Sequence, residues 1–375
     1  MQTYLVGGAI RDRLLGLPAP YEKDWVVVNG TANQLKSRGY KKVGKSFPVF
    51  IDPETSEEYA LARRERKTSS GYHGFAYDAG PDITLEEDLS RRDLTINAIA
   101  EDENGNLIDP HRGQDDLKNR VLRHVSQAFR EDPLRVLRIA RFKAKLSQFD
   151  FKIADETINL VQLIVDSGEL SSLVPERTWL ETEKVFKAPD FNEYFITLIN
   201  LNAFNQIYPD LEDLDAEFFT SHPILESARQ DYSPEIRFAS IFYSLMRNGE
   251  KDIKNRLESM QENMKFANSY KRLPLMLNNS LALIEEDISK FTADHQLAII
   301  ESIDAIRNPE NLDQISKLIM LDHSSDFTQK IAVIQKSLID AKNITISNLD
   351  ESKLAGNEIA KRIRELRLKA IESNQ

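Results

Sequence analysis

Apolar residues change their spacing once along this chain. Up to about residue 125 they come in short runs broken by turn residues, and beyond it they recur every three or four positions. TYLVG, ending in Gly7-Gly8, predicts a first strand. AIRDRLLGL predicts a short helix closed by Gly16 and Pro18, and the β-branched run WVVV (25–28) a buried strand. KKVGKSFPVFID and EEYALAR predict two more strands on either side of the turn DPETS, and LIDP (107–110) another after ENGN. From about Ser126 the segments DPLRVLRIARFKAKL, DETINLVQLIVDS, PERTWLETEKVFKA and FNEYFITLINLNAF all carry helical spacing. The pattern runs to the C-terminus with Gly and Pro sparse, and no fixed repeat or low-complexity tract interrupts it. The expected fold class is α+β, a small mixed β-sheet head followed by an all-α remainder.

Composition narrows the chemistry. The 375 residues include no cysteine, which excludes disulfides, thiolate zinc sites and cysteine nucleophiles. Hydrophobic residues make up 41%, enough for real cores in two or three domains. No run approaches the length of a transmembrane helix. The opening MQTYLVGGAIRDRLLGL lacks a basic leader region and a cleavage site, so a soluble cytoplasmic protein with no membrane partner is expected. Net charge is −11, but the first 150 residues hold 24 basic and 23 acidic side chains, against 25 and 37 in the rest. A basic groove can therefore exist in the N-terminal part of an acidic protein.

Five segments carry candidate chemistry. In Gly7-Gly8-Ala9-Ile10-Arg11-Asp12, a strand ending in two glycines opens into a helix. Backbone amides there can approach a phosphate, and Arg11 can form paired hydrogen bonds to its oxygens. The same residues also fit a tight turn with a surface arginine. In Glu22-Lys23-Asp24 the two carboxylates are spaced to share one strand face, an expensive arrangement at a sheet edge unless a cation occupies it. Oxygen ligands suit Mg²⁺, and an isolated pair of this kind also fits a solvated turn. The basic stretch Arg63 to Phe75, rich in Gly and Ser, reads as a mobile loop over an anionic substrate or as an ordinary solvated one. In Glu86 to Ala98, Arg91 and Arg92 cannot share a helix face, so one is expected at a triphosphate and the other on local carboxylates. In Glu131 to Phe142, Asp132 fits an N-cap and Pro133 the first helical position, with Arg135 and Arg138 on successive turns.

In this order and spacing, GGAIRD, a carboxylate pair before a β-run, RRDLTINA and EDPLRVLRIAR resemble the class II tRNA nucleotidyltransferases. These are the CCA-adding enzymes of the DNA polymerase β-like nucleotidyltransferase superfamily, and the resemblance is closest to their bacterial branch. GKSFPVF, EEYALARRERKTSSGYHGF, IDPHRGQDDL and PERTWLE agree, and the resemblance is dense from Tyr4 to about Glu183. Poly(A) polymerases share the head and are the nearest enzymatic alternative. The resemblance implies a nucleotidyltransferase head over 1–125, a helical neck with the base-recognition helix over 126–205, and a helical body and tail over 206–375. It implies that Glu22 and Asp24 are catalytic metal ligands for Mg²⁺. It also implies that Gly8, Arg11, Arg92, Arg138 and Arg141 bind the incoming nucleotide, and that Asp132 and Arg135 read its base. The family pattern is usually Asp-x-Asp, and Glu22 departs from it by a methylene, about 1.5 Å of reach. Glu58 on the EEYALAR strand is a candidate third carboxylate.

The implied reaction is attack of a tRNA 3′-hydroxyl on the α-phosphate of CTP or ATP, with pyrophosphate leaving. By the same resemblance the Arg63–Phe75 segment favours complete CCA addition. A CC-adding or A-adding enzyme, or a non-catalytic RNA-binding relative, are the alternatives. Cytosine and adenine both present an exocyclic amine beside an unprotonated ring nitrogen, and a carboxylate with a guanidinium complements both. Uracil and guanine reverse that order. Asp132 and Arg135 supply such a pair. Arg141, nine residues from Asp132, is half a turn out of phase on an ideal helix and is expected off the base-reading face.

Many bacterial members of the family carry a metal-dependent phosphohydrolase domain with an adjacent His-Asp pair. Here His222, His295 and His323 are the only histidines after residue 150, none is followed by Asp, and Tyr243-Ser244 stands where the pair would fall. No phosphohydrolase activity is expected. The last helical segment carries Lys361, Arg362, Arg364, Arg367 and Lys369, a pattern that suits RNA phosphates or a solvated amphipathic face.

Overall fold

The computed structural model describes residues 1–18, 23–44, 49–67, 75–323, 325–345 and 356–373. The chain divides into two compact units, Met1–Ala216 and Glu217–Gln375.

The first unit is built on a seven-stranded mixed sheet. Its strands are β1 (Gln2–Val6), β2 (Asp24–Val28), β3 (Lys41–Val43), β4 (Val49–Ile51), β5 (Glu58–Leu61), β8 (Ala100–Glu101) and β9 (Leu107–Ile108). Their order is β3-β4-β5-β2-β1-β8-β9. Only β2 and β5 run parallel; the other neighbours are antiparallel. The three valines of β2 are buried on both faces. Val26 and Val28 pack with Val6, Leu89, Ala98 and Ala100, while Val27 packs with Leu35, Phe50 and Leu61. Each such side chain contributes about 1.5–3 kcal/mol of burial. Strand alternation puts Asp24 on the Val26 face.

Two head elements go beyond the apolar pattern. The segment expected to be a loop is in part a hairpin, with β6 (Arg63–Lys67) antiparallel to β7 (Phe75–Ala79); residues 68–74 lie outside the described residues. β6, RRERK, is charged throughout, and register sets Arg64 opposite Asp78, while the Arg64 guanidinium donates to Glu87 rather than packing in an apolar stripe. The six-residue helix α2 (Ala32–Ser37) is too short to show a period. It is fixed by a capping box in which Thr31 accepts from the Gln34 amide and Gln34 accepts from that of Thr31.

α2 lies on the Val27 face through Leu35, and the other helices of this unit begin with α1 (Gly8–Leu14), α3 (Leu85–Ser90), α4 (Gly113–Asn119) and α5 (Leu134–Lys145). A parallel pair, β10 (Val121–Leu122) and β11 (Lys152–Ile153), flanks α5. Then come α6 (Asp155–Asp166), α7 (Pro175–Val185) and α8 (Asn192–Asn200). Asp132 caps α5 as expected: its backbone is extended and its carboxylate accepts from the Leu134 amide at 3.2 Å, while Pro133 already has helical dihedrals. The second unit is helical wherever it is described with regular structure. Among the described residues no helix is long and apolar enough to cross a membrane.

Candidate active site

A cavity of about 790 Å³ opens within the first unit. Ten Arg or Lys side chains and six carboxylates line it, a cationic cleft in a chain of net charge −11. That excess suits a polyphosphate. Gly8, Arg11, Asp24, Arg92, Asp132, Arg135, Arg138 and Arg141 all reach it. Glu22 lies outside the described residues.

The turn from β1 into α1 depends on Gly7. Its φ is +74°, and a Cβ there would lie 3.2 Å from Arg92 Nη1. The missing side chain is what lets the Arg92 guanidinium lie against this turn. Arg11 is not the surface residue a simple turn would give. It is 2% exposed, donates to Asp12 at 2.8 Å and to Asn97 at 2.6 Å, and lies over the Phe142 ring. Asp12 in turn accepts from Lys145 at 2.9 Å. Burial lowers the Arg11 pKa, with Asp12 opposing. Arg11 thus serves as a fixed positive charge more than as a free hand for phosphate.

Asp24 opens β2, and the parallel register sets Glu58 directly beside it on β5. Both line the cavity, and the Asp24 charge supports the Arg92 guanidinium. Two adjacent carboxylates fit a hard divalent ion, which for Mg²⁺ needs only one or two protein oxygens beside phosphate and water. Among the described residues no group of three or more His, Asp or Glu gathers for a metal.

Because α3 ends at Ser90, Arg91 and Arg92 both turn to one buried carboxylate, and both also line the cavity. Asp88 takes Arg91 on Oδ1 at 2.8 Å and Arg92 on Oδ2 at 3.3 Å, and its Oδ1 also accepts from the Arg63 amide at 3.2 Å. Burial alone would raise the Asp88 carboxyl, but Arg91 and Arg92 overcome it and hold it low.

On α5, Arg138 donates to Asp93 at 2.7 Å, and Arg141 to Glu181 of α7 at 2.6 Å. Burial pushes the Asp93 carboxyl up, and Arg138, Asn97 and Arg135 more than offset this, so it stays ionised far below the ordinary range. Arg135 donates to the Arg91 carbonyl at 2.6 Å, and Asp132 accepts from Arg177 of α7 at 2.7 Å. Arg141 lines the same cavity as Asp132 despite the half-turn count. That count assumed a helix from residue 132, and Asp132 is extended.

Asp88, Asp93, Lys145, Arg177 and Glu181 were not singled out from the sequence. Asp88 precedes two arginines by three and four positions, and Arg177 precedes Glu181 by four, both readable helical spacings. Asp93 has no local signal, since Arg138 lies 45 positions on.

The strand–turn–helix with a carboxylate beside it, and the arginine-bearing helix across the cleft, define a nucleotidyltransferase head followed by helices. Residues 3–123 match the family model described as "Poly A polymerase head domain", and residues 150–214 the one described as "Probable RNA and SrmB- binding site of polymerase A". Over its whole length the chain is 40% identical to a CCA-adding enzyme of Coxiella burnetii, covering 95% of that protein. It is 38% identical to the multifunctional CCA protein of Laribacter hongkongensis, covering 98% of it. The Thermotoga maritima CCA-adding enzyme, solved in complex with tRNA, superposes with a TM-score of 0.65 at 19% identity, covering all of this chain and 88% of that one. The chain belongs to the CCA-adding enzyme family of nucleotidyltransferases, and enzymes of this family are metal-dependent.

Proposed function

We propose that this protein adds the 3′-terminal CCA of tRNA from CTP and ATP without a nucleic-acid template, in the cytoplasm. Its 3′-hydroxyl acceptor attacks the α-phosphate and pyrophosphate leaves. The observation that carries this reading is one cavity holding the Asp24–Glu58 carboxylates, a ring of arginines and the Asp132–Arg135 pair. Asp24, with Glu22 and Glu58, would hold Mg²⁺. The chemistry such an ion would supply there is a lowered pKa for the attacking hydroxyl and stabilisation of charge on the phosphoryl oxygens. Arg92, Arg138 and Arg141, with buried Arg11 behind them, give the triphosphate a preorganised positive wall, and Gly8 lets the α1 backbone approach it. Asp132 accepts from the exocyclic amine of cytosine or adenine and Arg135 donates to the ring nitrogen beside it.

We assign residues 1–125 to the catalytic head, 126–205 to the neck that reads the base, and 206–375 to the body and tail that hold the tRNA. Incubating the protein with tRNA lacking its 3′ end, and CTP alone, ATP alone or both, tests the reading. Elongation by three nucleotides with both substrates is expected. Stopping at two, adding only one, a long A-tail, or no product would each replace it with a different enzyme or with none.

A further inference from the structure

Asp132 is gripped from two elements. Its Oδ1 accepts from the Leu134 amide at 3.2 Å, and its Oδ2 from Arg177 Nη2 at 2.7 Å, with Arg177 Nη1 3.5 Å from Oδ1. Leu134 belongs to α5, but Arg177 reaches across from α7. The two side chains are 20% and 28% exposed, and both line the cavity. A carboxylate has about four lone-pair sites. Donors on both oxygens use part of these and fix the plane of the group, so the remaining lone pairs point in set directions. The partner reader, Arg135, is fixed in the same manner by the Arg91 carbonyl at 2.6 Å. That anchor is backbone and survives any side-chain change, whereas the anchor of Asp132 is a side chain.

We propose that Arg177 is a positioning residue for base selection, setting the direction in which Asp132 accepts and thereby the rejection of UTP and GTP. This rests on Asp132 and Arg135 being the base readers. Rejection of uracil requires the carboxylate to stay facing the carbonyl that replaces the amine of cytosine. Held by the Leu134 amide alone, the carboxylate can rotate about its last torsion and relieve that repulsion. Loss of Arg177 therefore erodes discrimination more than it erodes catalysis with the correct nucleotide.

The test compares kcat and KM for CTP and UTP on tRNA lacking its 3′ end, in the wild type, Arg177→Met, Arg177→Lys and Arg135→Ala. Arg177→Met keeps most of the apolar stem and removes the donors, and Arg177→Lys keeps one. The expected result is a fall in the CTP/UTP ratio of kcat/KM by about tenfold or more in Arg177→Met, with most of it restored in Arg177→Lys and kcat for CTP changed less than the ratio. A merely structural role would lower both activities together and leave the ratio alone. That outcome, in protein whose circular dichroism melt shows it folded, overturns the proposal. Should Arg177→Met fail to fold, the CTP/UTP ratio in Arg177→Gln and Arg177→Lys decides: a fall in either variant larger than its fall in kcat for CTP supports the proposal, and a ratio unchanged in both overturns it. If Arg135→Ala still excludes UTP, the base-reading assignment itself fails. If Arg135→Ala admits UTP while Arg177→Met does not, only the role of Arg177 fails.

Discussion

Asp93 shows how a single residue shapes this site. It is 6% exposed, and its two oxygens divide their partners: Oδ1 accepts from the Leu94 amide and Asn97, Oδ2 from Arg138. Asp93→Asn removes the charge and leaves a partly buried guanidinium with Glu181 at 3.6 Å as its remaining carboxylate. The expected loss is about 1–3 kcal/mol, below that of a fully buried pair because the Arg138 side chain is 34% exposed, and is read as a fall in the thermal midpoint at pH 7. Because the folded carboxyl lies far below its ordinary value, its stabilisation is complete above the unfolded pKa and is lost as pH falls toward the folded one. The gap between wild type and variant should therefore narrow below about pH 4; a constant gap would show that the charge of Asp93 is not what stabilises the fold. Nothing near Asp93 in the sequence announces this, because its partner stands on a helix 45 positions later. Asp132 was legible as a cap, since that bond is local. Its pairing with Arg177 was not, since that one crosses between helices.

At the scale of elements, the parts that sequence shows best are those whose signal is local. WVVV predicted β2, Gly7-Gly8 the turn into α1, and Asp132-Pro133 the start of α5, and each stands where expected. The β6–β7 hairpin was hidden because β6 is charged throughout and shows no apolar alternation, and Glu58 could be offered as a third carboxylate but not set beside Asp24, because register between parallel strands is a tertiary property. The turn at Gly7 carries a sharper consequence. A Cβ at Gly7 meets Arg92 Nη1 at 3.2 Å and must adopt a backbone conformation that costs roughly 1–3 kcal/mol. Gly7→Ala should therefore displace Arg92 and lower kcat/KM for CTP by about 10- to 100-fold, in steady-state assays with truncated tRNA. Unchanged kinetics would mean that Arg92 has no part in holding the triphosphate.

The whole molecule separates its charge and its chemistry. Acidic residues concentrate after residue 150, whereas the cationic cleft lies in the first unit, so the overall net charge is a poor guide to the partner. The second unit carries no comparable chemistry at the place where the sequence raised the question. Tyr243 and Ser244 lie in the helix Pro234–Arg247 and are both fully buried. Burial, with Asp322 beside it, pushes the Tyr243 phenol well above its ordinary pKa, so it stays protonated and donates to Asp322 at 3.4 Å. The Ser244 hydroxyl donates back to the Ser240 carbonyl at 2.8 Å, the usual fate of a serine inside a helix. Asp322 is also bound by Arg247 at 3.1 Å, and His323 is engaged with Ser227 at 2.8 Å. A protonated phenol and a helix-bound hydroxyl cannot replace imidazole and carboxylate as ligands for a divalent ion. Purified protein should therefore leave 2′,3′-cyclic AMP intact with or without added divalent metal, while the same preparation elongates tRNA. Hydrolysis that a chelator abolishes would show that other residues of the second unit assemble a metal site in solution.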